Sequence, residues 1–270
     1  MTDSYFSLIR CASPVGYWRL NERFHTDQVV DESGNGHHGT FSTMKPTLGE
    51  PGAIKGSENK SMKFSPNAFV EIPHSPDFSI QTSGQGLTVE VWIRPDQLTF
   101  PTENGTHYIH WLGKGEYKRT PKDADKMEWG FRFYSKSDPE RPNRISAYAW
   151  NPQGGLGAGA YYQGDLVKQN EWLHLVACYE HYECSCTNRP GVQLFVNGEF
   201  VQGPPSSGTL YLNEGEWSVM PRGRTASLRI GTRSATANSF LTGGIDEVAI
   251  YSKVLTPQHI RRHYEVGVKE

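Results

Sequence analysis

The sequence predicts an all-β protein, two antiparallel sheets packed face to face as a sandwich, with one short C-terminal helix. Three observations carry this. The 270 residues include 28 glycines and 17 prolines and are 12% aromatic, a composition of many short strands joined by tight turns. Residues 86–95 alternate cleanly, with Leu87, Val89, Val91 and Ile93 on one face and Thr88, Glu90, Trp92 and Arg94 on the other, before Pro95 ends the strand. Between two apolar runs stands Asn197-Gly198, the pair a type I′ hairpin turn demands because both central residues take positive φ.

In chain order, the first strand is expected over 15–21, introduced by Pro14. A polar loop follows, in which Asp31, Ser33, Asn35, His37 and His38 alternate with Gly34, Gly36 and Gly39. Such a loop can turn carbonyls and a carboxylate inward toward a hard cation such as Ca²⁺, although it lacks EF-hand spacing. Residues 46–61 read as loop, and strands follow at 61–64, 68–73 and 86–95. Insertions at 99–107 and 117–126 flank strands at 108–113 and 127–134, and a further strand covers 144–150. The glycine-rich segment 153–164 has neither Walker nor dinucleotide spacing and reads as a mobile loop or a tight strand bend. Strands at 171–177, 192–201 and 227–232 lead to Gly243–Tyr251, whose imperfect alternation predicts burial on both faces. Thr256 caps the one expected helix, with Pro257 at its first position. Neither a repeat nor a composition shift divides the chain, so one domain is expected over 1–270.

The formal net charge of −2 with 21% charged residues argues against a nucleic-acid partner. No run of eighteen apolar residues is present, so membrane insertion is not expected, and the chain as given shows no export signal. The four cysteines, Cys11, Cys178, Cys184 and Cys186, leave two readings open: free thiols, or one disulfide from Cys178 or Cys11 to the Cys-x-Cys loop. Asp246, in a buried strand, needs a partner, and a backbone amide, an arginine or a metal ion would each serve.

The segments 14–22, 31–36, 87–93, 171–176, 194–198, 228–231 and 244–257, in that order, resemble the laminin-G-like jelly-roll domains of the concanavalin A-like lectin/glucanase superfamily. The likeness covers about residues 14–264. It implies a sandwich whose first and last strands lie close together, and a structural Ca²⁺ clasped between the Asp31 loop and the last strand. Carried onto this chain, the ligands are the side chains of Asp31 and Asp246 with carbonyls around Asn35, Gly36 or His38. In the metal-free alternative, Asp246 accepts amides of the 34–39 loop.

The resemblance also implies a recognition module for glycans or proteins, with polysaccharide hydrolysis as the less favoured activity. A retaining glycosidase needs two carboxylates on one face. Glu90 stands alone on its strand, and Asp246 and Glu247 are adjacent, which strand geometry turns to opposite faces. His174, Trp18, Trp92 and Trp172 are expected in the core. His107 and His110 are out of phase around Tyr108, against a shared ligand role. Sugar faces stack on rings while hydroxyls need fixed polar groups. Trp111, Trp129, Tyr134, Tyr148, Trp150, Tyr161 and Tyr162, with Arg132 and Asn151 among them, cluster on the middle strands. Of these Trp111, Arg132, Tyr134, Tyr148, Trp150, Asn151, Tyr161 and Tyr162 are the candidate ligand residues. A third reading is a structural or adhesive part of a larger assembly, such as a phage tail or surface adhesin, with Tyr5 to Arg10 as an assembly element or an extra edge strand.

Overall fold

The computed structural model describes residues 4–24, 26–80, 86–100, 107–115, 127–150, 157–180, 191–201, 209–210, 218–219, 225–232 and 240–269. In chain order the elements are α1 (Tyr5–Cys11), β1 (Gly16–Trp18), β2 (Gln28–Val29), β3 (Gly39–Phe41), β4 (Thr47–Pro51), β5 (Lys60–Phe64), β6 (Val70–Ile72), β7 (Leu87–Pro95), β8 (Tyr108–Lys114), β9 (Trp129–Tyr134), β10 (Ile145–Ala149), β11 (Ala158–Tyr162), β12 (Leu173–Glu180), β13 (Gly191–Val196), β14 (Glu199–Phe200), β15 (Thr209–Leu210), β16 (Ser218–Val219), β17 (Leu228–Ile230), β18 (Gly243–Tyr251) and α2 (Pro257–Gly267). A single 3₁₀ turn, Pro76–Phe78, lies before β7.

Two antiparallel eight-stranded sheets form the expected sandwich. The back sheet runs β14-β13-β12-β7-β18-β5-β4, with β1 also on β18, and the front sheet runs β11-β10-β9-β8-β17-β6-β3-β2. As the resemblance implies, the first strand pairs with the last, Tyr17 opposite Ala249 and Trp18 opposite Val248. The inward residues of β7 named above join Leu175, Leu194, Ile245, Phe131 and Leu228 in one buried core between the sheets. Trp18 and Trp92 are buried, as expected, whereas Trp172 is only half-buried. The Asn197-Gly198 turn forms with φ of 50° and 79°, joining β13 to β14.

Behind the back sheet lies a third layer, the two helices, over a second core that includes Tyr5, Ile9, Trp92, Val176, Phe195, Tyr251 and Ile260. This is why all nine residues of β18 are buried. α2 starts as expected, with Thr256 accepting from the His259 amide. α1 corrects two expectations: it is a second helix, and residues 5–10 are not an edge strand. Ser4 caps it by accepting from the Ser7 amide, and Tyr5, Leu8 and Ile9 have the i, i+3, i+4 spacing that puts apolar groups on one helical face. In an apolar run this short, strand and helix patterns are hard to separate by periodicity.

Two other segments differ from expectation. Residues 47–51 of the expected loop pair as β4 with β5. The glycine-rich segment contains a true strand, β11, antiparallel to β10. Its small residues mask any alternation, yet they fit the register: Gly159 lies opposite Tyr148, and a Cβ on Gly157 would stand 1.9 Å from the Ala149 carbonyl oxygen. Most of the expected insertions at 99–107 and 117–126 lies outside the described residues. Among the described residues no helix is long and apolar enough to cross a membrane.

Candidate functional site

The predicted calcium ligands are divided between two separate networks. Asp31 is nearly buried, and its Oδ1 accepts the Tyr17 and Ser33 amides, both at 2.9 Å, while Oδ2 accepts the His37 amide at 2.8 Å. The Asp31 amide donates to His38 Nδ1 at 3.0 Å, and Asn35 Nδ2 donates to the Val15 carbonyl at 3.1 Å. Gly36 provides a left-handed turn at φ 78°. Both oxygens of the carboxylate thus accept N–H groups, from Ser33 and His37 of the loop and from Tyr17 of β1. Asp246 instead accepts the Ala53 amide at 2.7 Å, so this amide partner comes from outside the 34–39 loop. Its Oδ1 has no partner, and burial, with the adjacent Glu247 charge, pushes its pKa well up. Among the described residues no cluster of His, Cys, Asp or Glu is arranged to hold a metal ion. These residues do not fit a Ca²⁺ held jointly by Asp31 and Asp246.

β18 also corrects the expectation that Asp246 and Glu247 face apart. The register against β7 shifts between Asp246 and Ala249, and Glu247 adopts φ 50°, a left-handed conformation rare for a residue with a side chain. The bulge turns Glu247 to the helix side with Asp246. There Glu247 accepts the Tyr17 hydroxyl, Arg19 Nε at 3.0 Å and Asn59 Nδ2 at 2.8 Å. Burial lifts its pKa to about 7 against the pull of Arg19 and Tyr17. Nearby, Glu90 is fully buried and accepts from four side chains: His174 at 2.9 Å, His263 at 3.0 Å, Tyr251 at 3.1 Å and Tyr5 at 3.2 Å. Burial opposes its charge, but His263 and His174 more than compensate and hold the carboxyl well below the usual range. His174 is the satisfied core histidine expected at Nε2, though its Nδ1 has no partner. All three carboxylates are fully buried beneath the helical layer.

The outer face of the front sheet is different in kind. Arg132 projects from β9 with its guanidinium carbon 4.5 Å from the ring centres of both Tyr108 and Tyr148 and 5.5 Å from that of Trp150. Its Nε donates to His110 Nε2 at 2.9 Å, which fixes the guanidinium plane. Tyr134 lies beneath; burial and Tyr148 raise its pKa while Arg132 opposes them. Arg144 stacks on Tyr161 at 3.9 Å and donates from Nε and an Nη to Gln163. Tyr108, Arg132, Tyr148, Trp150 and Tyr161 are all half-buried, so each keeps an accessible edge. The strands β8, β9, β10 and β11 contain no aspartate or glutamate.

Of the predicted ligand residues, Arg132, Tyr134, Tyr148, Trp150 and Tyr161 thus come together. Trp111 does not: it is fully buried between the sheets, 5.1 Å from the Phe131 ring. Trp129 is equally buried. Tyr162 lies opposite inward-facing Ile145 and packs against the core, not on the outer face. Asn151 lies outside the described residues. Tyr108, His110 and Arg144 were not anticipated as members of the cluster, although His110 and Arg132 are cross-strand neighbours and a correct β8–β9 register reveals them. A separate open groove of about 680 Å³ lies at the far end of the same sheet, lined by Phe41, Met44, Asn67, Phe69 and Phe240 among others.

The family profile described as the concanavalin A-like lectin/glucanases superfamily matches residues 65–261. Comparison with curated protein sequences gives no match. Among solved structures, the ligand binding domain of botulinum neurotoxin serotype D, determined with N-acetylneuraminic acid, aligns over 97% of this chain and 52% of its own, at TM-score 0.60 and 14% identity. The binding domain of Paraclostridial mosquitocidal protein 1 aligns over 95% of this chain and 52% of its own, at TM-score 0.61 and 11% identity. Domain 4 of AbnA, an extracellular arabinanase from Geobacillus stearothermophilus in complex with arabinotriose, aligns over 93% of this chain and 98% of its own, at TM-score 0.52 and 17% identity. The chain thus spans about half of each toxin domain and nearly all of the arabinanase domain.

Proposed function

The chain belongs to the concanavalin A-like lectin/glucanase superfamily, and from that premise we propose that it is a non-catalytic module that binds carbohydrate on the outer face of its front sheet. One observation carries the proposal: half-buried rings gathered around Arg132 on four strands that hold no carboxylate. Rings offer apolar faces to sugar C–H groups, and fixed donors beside them serve the hydroxyls. Two carboxylates flank the bond in most glycosidases, and these strands supply neither. That neighbours of the same fold were determined with N-acetylneuraminic acid or arabinotriose agrees with this reading.

A glycan array probed with the wild type and with Tyr148→Ala tests it. A stacked ring contributes about 0.5–1.5 kcal/mol, so loss of one lowers affinity by about two- to tenfold. Retention of binding by both Tyr148→Ala and Trp150→Ala removes the proposed face, and an array blank for the wild type removes the glycan reading.

A further inference from the structure

Arg10 donates to the Glu32 carbonyl, and five arginines elsewhere in the described structure meet carboxylates: Arg19 meets Glu247, Arg94 meets Asp96, Arg141 meets Asp138, Arg229 meets Glu71 and Arg261 meets Glu199. Arg132 and Arg144, on the aromatic face, do not. Among the described residues neither has a carboxylate within ion-pair distance; their contacts are rings, His110 and Gln163. A guanidinium between two tyrosine rings, with its Nε already fixed on His110, is pre-set in orientation and still has Nη donors to present. Rings stabilise the cation without neutralising it. Arg144 also lies 5.9 Å from the Tyr134 ring centre, where Arg141, paired with Asp138, stands at 4.8 Å. The face therefore offers a positive, donor-rich centre with stacking surfaces on either side, and no acidic residue in its four strands to repel an anion.

We propose that this face selects sugars bearing a carboxylate, with Arg132 receiving the carboxylate through its Nη edge while Tyr148, Trp150 and Tyr161 take the sugar faces. The inference rests on the glycan reading above and adds the chemical class of the ligand. A hexuronate and a sialate both carry the required group, and the two differ in the size of the sugar around it.

Calorimetric titration tests it with trigalacturonate, its fully methyl-esterified form, and sialyllactose beside lactose. The acid forms are expected to bind at least about tenfold more tightly than the ester or neutral partner, with the advantage shrinking as salt rises. Whichever acid binds better identifies the source. Arg132→Gln should weaken acid binding far more than ester or neutral binding, so that the acid-to-ester ratio falls toward one, and Arg132→Lys, which keeps the charge but not the planar fork, should recover part of that ratio. Unchanged melting of both variants shows that the fold is intact, and Arg144→Gln, at the rim of the cluster, provides a second reading should Arg132→Gln melt early. Equal binding of acid and ester overturns the inference while the glycan reading stands. Binding of none of the four sugars, with a blank array, overturns both.

Discussion

Replacing Glu90 by glutamine tests the buried network that ties the helical layer to the back sheet. The carboxylate accepts from His174, His263, Tyr5 and Tyr251 at 2.9–3.2 Å, and Glu90 and both histidines are buried. Glutamine keeps the shape, removes the charge opposite His263 and turns one acceptor into a donor facing donors. Breaking a buried pair in this way costs about 3–5 kcal/mol, against a total of about 5–15 kcal/mol for a typical domain. Urea unfolding should show the midpoint falling with an unchanged slope.

The pH dependence fixes the sign. Burial alone would lower the His263 pKa, but Glu90 raises it above the ordinary 6.5, so its contribution is complete below 6.5 and is lost as pH rises through the raised value. The Glu90 pKa is depressed from 4.5, so its contribution is complete above 4.5 and is lost only as pH falls through the lowered value. The deficit of Glu90→Gln should therefore be largest between pH 4.5 and 6.5 and should shrink above the His263 value. A deficit below about 1 kcal/mol, the median worth of an exposed pair, or one that grows at alkaline pH, would refute the reasoning.

Three further outcomes are expected. Trp111→Ala should lose about 3–5 kcal/mol of stability as a core truncation, while Trp150→Ala should leave most of the stability in place and weaken sugar binding; equal destabilisation of the two contradicts the assignment of faces. Melting temperatures in Ca²⁺ and in EGTA should agree, because amides already occupy Asp31, and a clear rise with Ca²⁺ contradicts that account. A thiol reagent should label exposed Cys11 in the native protein but reach Cys178 only on unfolding, since Cys178 is buried and burial pushes its pKa to about 12. Native labelling of Cys178 would mean that the helical layer opens.

The strands that alternate cleanly were legible in the residues, as were the Asn197-Gly198 hairpin and the Thr256-Pro257 cap, because each is set by local chemistry. What was not legible depends on contacts between distant segments. The bulge at Glu247 changes the parity of β18, so adjacent acids share a face, and a left-handed glutamate has no sequence signature. The composition of the Asp31 loop allows carbonyls turned inward, whereas its carboxylate gathers amides, a choice of backbone orientation that composition does not determine. Trp111 sits at a register shift in β8 between His110 and Leu112, and it joins both Ile109 and Leu112 in the core, an outcome strict alternation does not give. The remainder of the aromatic cluster follows from the β8–β9–β10 register, which sets Arg132 opposite His110 and Ser146 with Tyr108 and Tyr148 as its diagonal neighbours. The fates of Cys184 and Cys186, and so the disulfide alternative, lie outside the described residues.

The central claim is that sugar occupies the outer face of the front sheet. Hydroxyl-radical footprinting, with and without the tightest-binding sugar, tests it most directly. Protection is expected at Tyr148, Trp150 and Tyr161, with buried Trp111 silent in both states. Protection confined to Phe41, Met44 and Phe69, at the groove on the far end of the sheet, would contradict the claim.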